Sequence, residues 1–159
     1  MSPESVSKDV ANPGWARPPQ VYLVAILGGL GLDFVWPLRW LPAGVGVWLG
    51  VPLVIGALAL FLASTRRFKA AGTPVPGNEP TSTIVRSGPY RFSRNPIYLA
   101  FSLLVLGIAC GRNSVWLLGT LVAAMCLMSF VVIPREERYL ERRFGAEYNE
   151  YKSRVRRWL

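Results

Sequence analysis

Two short stretches of the chain hold most of the residues able to do chemistry. The first runs Ser82-Thr83-Ile84-Val85, through Tyr90, to Arg94-Asn95-Pro96-Ile97-Tyr98. The second is Pro134-Arg135-Glu136-Glu137, followed by a basic and aromatic run to Tyr151. Proline suits the first position of a helix, asparagine is a good cap before it, and the residue before a proline is pushed out of the helical region. Asn95-Pro96 therefore predicts a helix start whose amide groups and positive dipole end could receive a carboxylate or phosphate. Arg94 adds a planar fork of donors, and Tyr90, Phe92 and Tyr98 add ring faces that attract cations. Glu136 and Glu137 are adjacent acids in a chain with 18 Lys+Arg against 9 Asp+Glu, and could bind an ammonium group. Each feature also has a plainer reading: a cap, an arginine on lipid headgroups, and acids complementing the dipole of a new helix begun by Pro134.

The chain has no histidine, which removes the commonest general base and metal ligand, and no metal site is expected. The two cysteines, Cys110 and Cys126, are too few for a disulfide scaffold and read as small packing residues. Gly28-Gly29-Leu30-Gly31 is no dinucleotide fingerprint, since no strand precedes it and the third glycine is missing.

The elements that must hold these residues follow from charge and hydropathy. The chain of 159 residues is 52% hydrophobic and 17% charged, yet carries a net charge of +9. Such apolarity and basicity coexist when they are segregated along the chain, as in a membrane protein with basic loops. The expected fold class is all-α and polytopic: four transmembrane helices, at about 21–38, 43–64, 96–112 and 114–134, plus cytosolic amphipathic C-terminal helices. Residues 1–19 read as a polar tail, with no cleaved signal peptide, and residues 20–159 as a single membrane domain. Sixteen of the 18 basic residues fall in the N-terminal tail, the middle loop and the C-terminal tail. The positive-inside rule then puts both termini and that loop in the cytosol. The setting expected is a bacterial inner membrane. The +9 is membrane-facing and predicts no nucleic-acid partner. Asp33 reads either as an intramembrane proton or ligand site or, with Trp36 and Arg39, as part of the outer interface, and Gly46 with Gly50 as a small-residue helix contact.

Topology joins the two chemical stretches, because one helix runs outward from Pro96 and the next returns to Pro134. An anion site with aromatic faces then lies beside two carboxylates. S-adenosylmethionine, with a carboxylate, an ammonium and a sulfonium, suits such a pair. Charge alone does not select it over a phospholipid headgroup.

At these residues the chain resembles the isoprenylcysteine carboxyl methyltransferase family, integral-membrane enzymes related to phospholipid methyltransferases. The matching elements are Ser87-Gly88-Pro89-Tyr90, Arg94-Asn95-Pro96-Ile97-Tyr98, Glu136-Glu137, and Phe144-Gly145 with Tyr148 and Tyr151, over roughly residues 66–157. The resemblance implies S-adenosyl-L-methionine as cofactor and a lipophilic, membrane-resident acceptor. That acceptor would be an isoprenylcysteine-type carboxylate, with a thiol or amine as alternatives. Carried over by position, Ser82, Thr83, Ile84, Val85, Tyr90, Asn95, Pro96, Ile97, Tyr98, Glu136 and Glu137 would contact the cofactor. Arg94 and Tyr98 would take the catalytic roles. The family histidine is Asn95 here, which cannot titrate. The arginine that serves the prenylcysteine carboxylate aligns with Val132. Competing readings are a membrane-bound NADPH-dependent reductase of related helical core and a small four-helix transporter.

Overall fold

The computed structural model describes residues 17–75 and 81–159. The expected polar tail falls almost wholly outside them, except that Pro18 and Pro19 already belong to the first helix. The described residues are helical and contain no strand: α1 Pro18–Val35, α2 Val45–Ala70, α3 Pro96–Arg112, α4 Val115–Leu127, α5 Ile133–Phe144 and α6 Ala146–Arg154. A short 3-10 turn, Gly88–Arg91, precedes α3. The helices pair as α2 with α3 and α1 with α4, and α3 also touches α4.

Among the described residues three helical stretches are long and apolar enough to cross a membrane: Pro18–Val35, Val45–Ala70 and Val115–Phe144. Of the four expected spans three meet this length, while α3 is a shorter apolar helix of 17 residues. At 1.5 Å per residue it measures about 25 Å, short of a hydrocarbon core of about 30 Å. Pro96 begins it and Asn113, in the left-handed conformation, ends it. The helices expose their large apolar side chains outward, among them Leu23, Leu27, Trp48, Ile55 and Val122, as a chain bathed in lipid does.

Two boundaries differ from expectation for physical reasons. Helix α2 continues past Ser64 through Arg66, Arg67 and Lys69 to Ala70, because basic residues in a last helical turn complement the dipole. Pro134 does not begin a new helix. The chain runs from α4 into α5 through a π-helical stretch, Met128–Val132. Proline has no N–H to give the preceding turn, and a widened turn is a common accommodation. Ser129, five residues before Pro134, has its carbonyl served by Arg157 Nη1 at 3.3 Å.

The α2–α3 contact depends on glycine. A Cβ added at Gly50 would lie 2.6 Å from the Gly107 carbonyl oxygen, and one at Gly46 would collide with Cys110 O. Backbones this close admit no side chain, which is the small-residue packing expected of Gly46 and Gly50.

Beyond the far end of α3 the connections are cross-tied. Asn113 Oδ1 accepts from the Trp40 and Leu41 amides at 3.0 and 2.8 Å, while its Nδ2 donates to Leu41 O at 2.7 Å. Asp33, buried, accepts from Arg39 at 3.1 Å and Arg112 at 3.5 Å. The expected interfacial aspartate is therefore a staple between the end of α1 and the end of α3.

Candidate active site

At the start of α3 the loop 81–95, helix α5 and helix α6 close around a cavity of about 660 Å³, counted out to its open mouth. Local sequence places each wall. Gly88 has φ +63°, a conformation favouring glycine, and turns the chain into Gly88–Arg91, which delivers Tyr90. Asn95-Pro96 opens α3 as expected and sets Ile97 and Tyr98 on its first turn. Gly145, also at positive φ, breaks α5 from α6, so that Tyr148 and Tyr151 fold back over the pocket.

Of the residues expected in the site, Thr83, Ile84, Val85, Tyr90, Arg94, Asn95, Ile97, Tyr98, Glu136 and Glu137 line the cavity. Ser82 and Pro96 are not among the lining residues: the Ser82 amide donates to Thr73 Oγ1 at 2.9 Å, and Pro96 is packed in the core. Phe92 is exposed. Reading the sequence missed Phe68, Val75, Thr81, Leu140, Tyr148 and Tyr151 as walls. The two tyrosines carried a signal in their spacing after Phe144-Gly145. Phe68 carried none, being one apolar residue among many.

The two adjacent glutamates stand in different environments. Tyr98 Oη donates to Glu136, with its two oxygens at 2.6 and 2.8 Å. No cation is paired with this carboxylate among the described ion pairs. Glu136 is two residues beyond Pro134, where the apolar run ends. Burial raises its pKa to about 7, the bond from Tyr98 opposing and the charge of Glu137 reinforcing that rise. Glu137 is held by cations instead. Arg94 Nη1 is 2.9 Å from one oxygen, and Arg157 donates to both, at 3.1 and 2.7 Å.

The Asn95 side chain does not cap α3. Its Nδ2 donates to Arg157 O at 3.0 Å, while the Asn95 backbone N–H donates to Ser93 Oγ at 3.1 Å. The expected anion site on the helix end is thereby redrawn, with Asn95 tied to the C-terminal segment. Several buried polar atoms around the cavity lack a partner: Thr81 Oγ1, Tyr90 Oη and Arg94 Nε, whereas Arg94 Nη1 is taken by Glu137. Buried polar groups are otherwise almost always satisfied, so these donors and hydroxyls are free to meet a bound molecule. They fit a ligand with a carboxylate and hydroxyl groups, and Glu136 fits its cation. Burial raises the Tyr90 phenol well above its ordinary pKa and Tyr148 to about 12, so both are neutral donors near neutral pH.

The chain is 34% identical over 111 residues to the cobalt-zinc-cadmium resistance protein CzcN of Cupriavidus metallidurans, covering 69% of this chain and 50% of that protein. It is 28% identical over 141 residues to the nickel-cobalt-cadmium resistance protein NccN of Alcaligenes xylosoxydans xylosoxydans, covering 89% of this chain and 60% of that protein. The chain thus spans about half the length of these relatives. An uncharacterized protein of Haemophilus influenzae is 42% identical over 65 residues, its full length and 40% of this chain. No solved structure matches. A family model described as phospholipid methyltransferase matches residues 45–147, which takes in α2, the Tyr90 turn, α3, the π-helical stretch and the Glu136-Glu137 pair, and this chain belongs to the phospholipid methyltransferase family.

Proposed function

We propose that the protein transfers the methyl group of S-adenosylmethionine to a lipophilic acceptor resident in the membrane. The single observation that carries this reading is the cavity's charge pattern: Glu136, a carboxylate met by the Tyr98 phenol and by no cation among the described ion pairs, in the same cavity as the unpartnered Arg94 Nε and the hydroxyls of Tyr90 and Thr81. When bound, the cofactor supplies an electrophilic methyl group on sulfur. The chain's own part is to bind, orient and exclude water. Glu136 holds the ammonium, while Arg94 and the hydroxyls of Tyr90 and Thr81 take the carboxylate and ribose. The rings of Tyr90 and Tyr98 lie among the walls, where aromatic faces favour a cationic sulfur. Tyr148, Tyr151 and Leu140 shield the site from water, which strengthens every electrostatic contact within it. Positioning is thus the main source of rate.

In this reading α3 is a fourth span, its short length made up by flanking residues and local thinning of the bilayer. Both termini and the site face the cytosol of a bacterial inner membrane, as the basic residues direct. The acceptor is a carboxylate, which is ionised near neutral pH and needs no base, or a thiol or amine. The names of CzcN and NccN concern metal resistance in those proteins. No group of three or more candidate metal ligands is assembled among the described residues here, and we propose no metal site.

The test is calorimetric titration of the purified protein with S-adenosylmethionine and, separately, NADPH. Saturable binding of the former that weakens in Glu136→Gln supports the reading. Binding of NADPH alone would favour a reductase. Absence of both, in folded protein, would overturn the methyl-transfer proposal.

A further inference from the structure

The residues after α6 cross the site as a strap. The Arg94 amide donates to Arg156 O at 2.9 Å, and Asn95 Nδ2 and Ser93 Oγ donate to Arg157 O at 3.0 and 3.3 Å. On the other side Arg157 reaches Glu137 twice and Ser129 O once, and Trp158 Nε1 donates to Ser129 Oγ at 3.2 Å. Three consecutive residues thereby bind the entry to α3, the π-helical stretch and α5 together. Residues 155–159 also lie beyond the region matched by the family model, which ends at residue 147, so the match assigns them no role.

Given the ammonium-holding role proposed for Glu136, we infer that Arg157 is a positioning residue for the pocket. By clamping Glu137 against Arg94 it neutralises that carboxylate and leaves Glu136 as the one carboxylate presented to a ligand's cation. The geometry is a bidentate fork on Glu137, which fixes orientation as well as charge. Without it two adjacent carboxylates would share the site, and like charges this close hinder each other's ionisation. The ionisable groups around Glu136 are Tyr98 on α3, Tyr90 before it, Glu137 on its own helix, and Tyr148 and Tyr151 on α6. Behind Glu137 stand Arg94, Arg157 and, 4.0 Å away, Lys152. The phenols stay neutral near pH 7, so Glu137 and its cations dominate the field on Glu136.

The experiment is titration of the full chain with S-adenosylmethionine from about pH 6 to about pH 8.5, across the range where Glu136 ionises. In the wild type, affinity rises with pH through one midpoint. In Arg157→Ala that midpoint moves up by about half a unit or more, so binding falls about threefold below it and recovers above it. Arg157→Lys, which keeps the charge, holds the midpoint near wild type. Glu137→Gln lowers it, and the double variant Glu137→Gln/Arg157→Ala returns it to the wild-type value or below. A merely structural strap predicts equal weakening at every pH and no return in the double variant, and that result overturns the inference. If Arg157→Ala does not fold, Glu137→Gln decides: an unmoved midpoint has the same consequence. Wild-type protein that binds no S-adenosylmethionine at any pH sinks the methyl-transfer proposal itself. Wild-type binding with unmoved midpoints in the variants sinks only the role of Arg157.

Discussion

Asp33 and Glu136 are both buried carboxylates, 2% and 5% exposed, one near each end of α3. Asp33 receives Arg39 and Arg112, and around it Asn113 closes the neighbouring backbone groups with three hydrogen bonds. Glu136 receives a single phenol, and the cavity beside it leaves Arg94 Nε and the hydroxyls of Tyr90 and Thr81 unanswered. The same chemical group is thus spent on the fold at one end and held in reserve at the other. A saturated network rigidifies, whereas unsatisfied buried groups cost free energy that a ligand can recover. In the proposed reading, the unanswered end is where a ligand binds.

This contrast can be broken from either side. The largest effect is expected from Glu136→Gln, which removes the cation's partner and should weaken S-adenosylmethionine binding by about tenfold to a hundredfold, since hydrogen bonds to charged groups contribute about 1.5–3 kcal/mol. Calorimetry measures it. Asp33→Asn should do the reverse: a loss of about 1–3 kcal/mol in unfolding free energy, read by denaturation in detergent, with affinity unchanged in the protein that remains folded. A loss of binding in Asp33→Asn at unchanged stability would erase the distinction.

Gly50→Ala tests whether the α2–α3 contact is set by backbone approach. The added methyl meets the backbone of Gly107 and Gly111, and overpacking of this kind costs about 1–3 kcal/mol. A thermal midpoint equal to wild type would show that the helices part freely.

The pH dependence of stability sharpens the same comparison at smaller scale. The folded pKa of Glu136 is about 7 against an ordinary 4.5. A raised carboxyl pKa stabilises the fold at pH below the unfolded value, and that contribution fades as pH rises from about 4.5 through about 7. Glu136→Gln should therefore gain stability relative to wild type between pH 5 and pH 8, by about 1 kcal/mol or more. A constant difference across that range would mean that Glu136 is ionised throughout. The smallest effect is assigned to Asn95→Ala. Its side chain ties the strap and not the cavity's cation site, so affinity should stay within about threefold, the equivalent of one ordinary hydrogen bond.

Much of this molecule was legible without coordinates. Hydropathy located the helices, and the helix start at Asn95-Pro96 followed from proline's fixed φ and missing N–H. The glycine contact between α2 and α3 followed from Gly46 and Gly50, because only residues without side chains let backbones approach so closely. Ten of the residues that the family resemblance carried over line the cavity. What failed was continuity: Pro134 reads as a helix start, but a proline can be absorbed by a π turn when a distant arginine serves the freed carbonyl. Arg157, which does so, has no local signal that distinguishes it from Arg154 or Arg156.

By itself the sequence determined that the chain is helical, apolar over its spans and basic beyond them, because side-chain hydrophobicity and backbone propensity act over a few residues. It also determined that Glu136 and Glu137 would be unusual in so basic a chain. Only the tertiary structure decided that these neighbours part company, one against a phenol and the other between two arginines. Consecutive residues on a helix point about 100° apart, so adjacent identical side chains face different elements. Which elements those are depends on contacts made 38 and 20 residues away, by Tyr98 and Arg157.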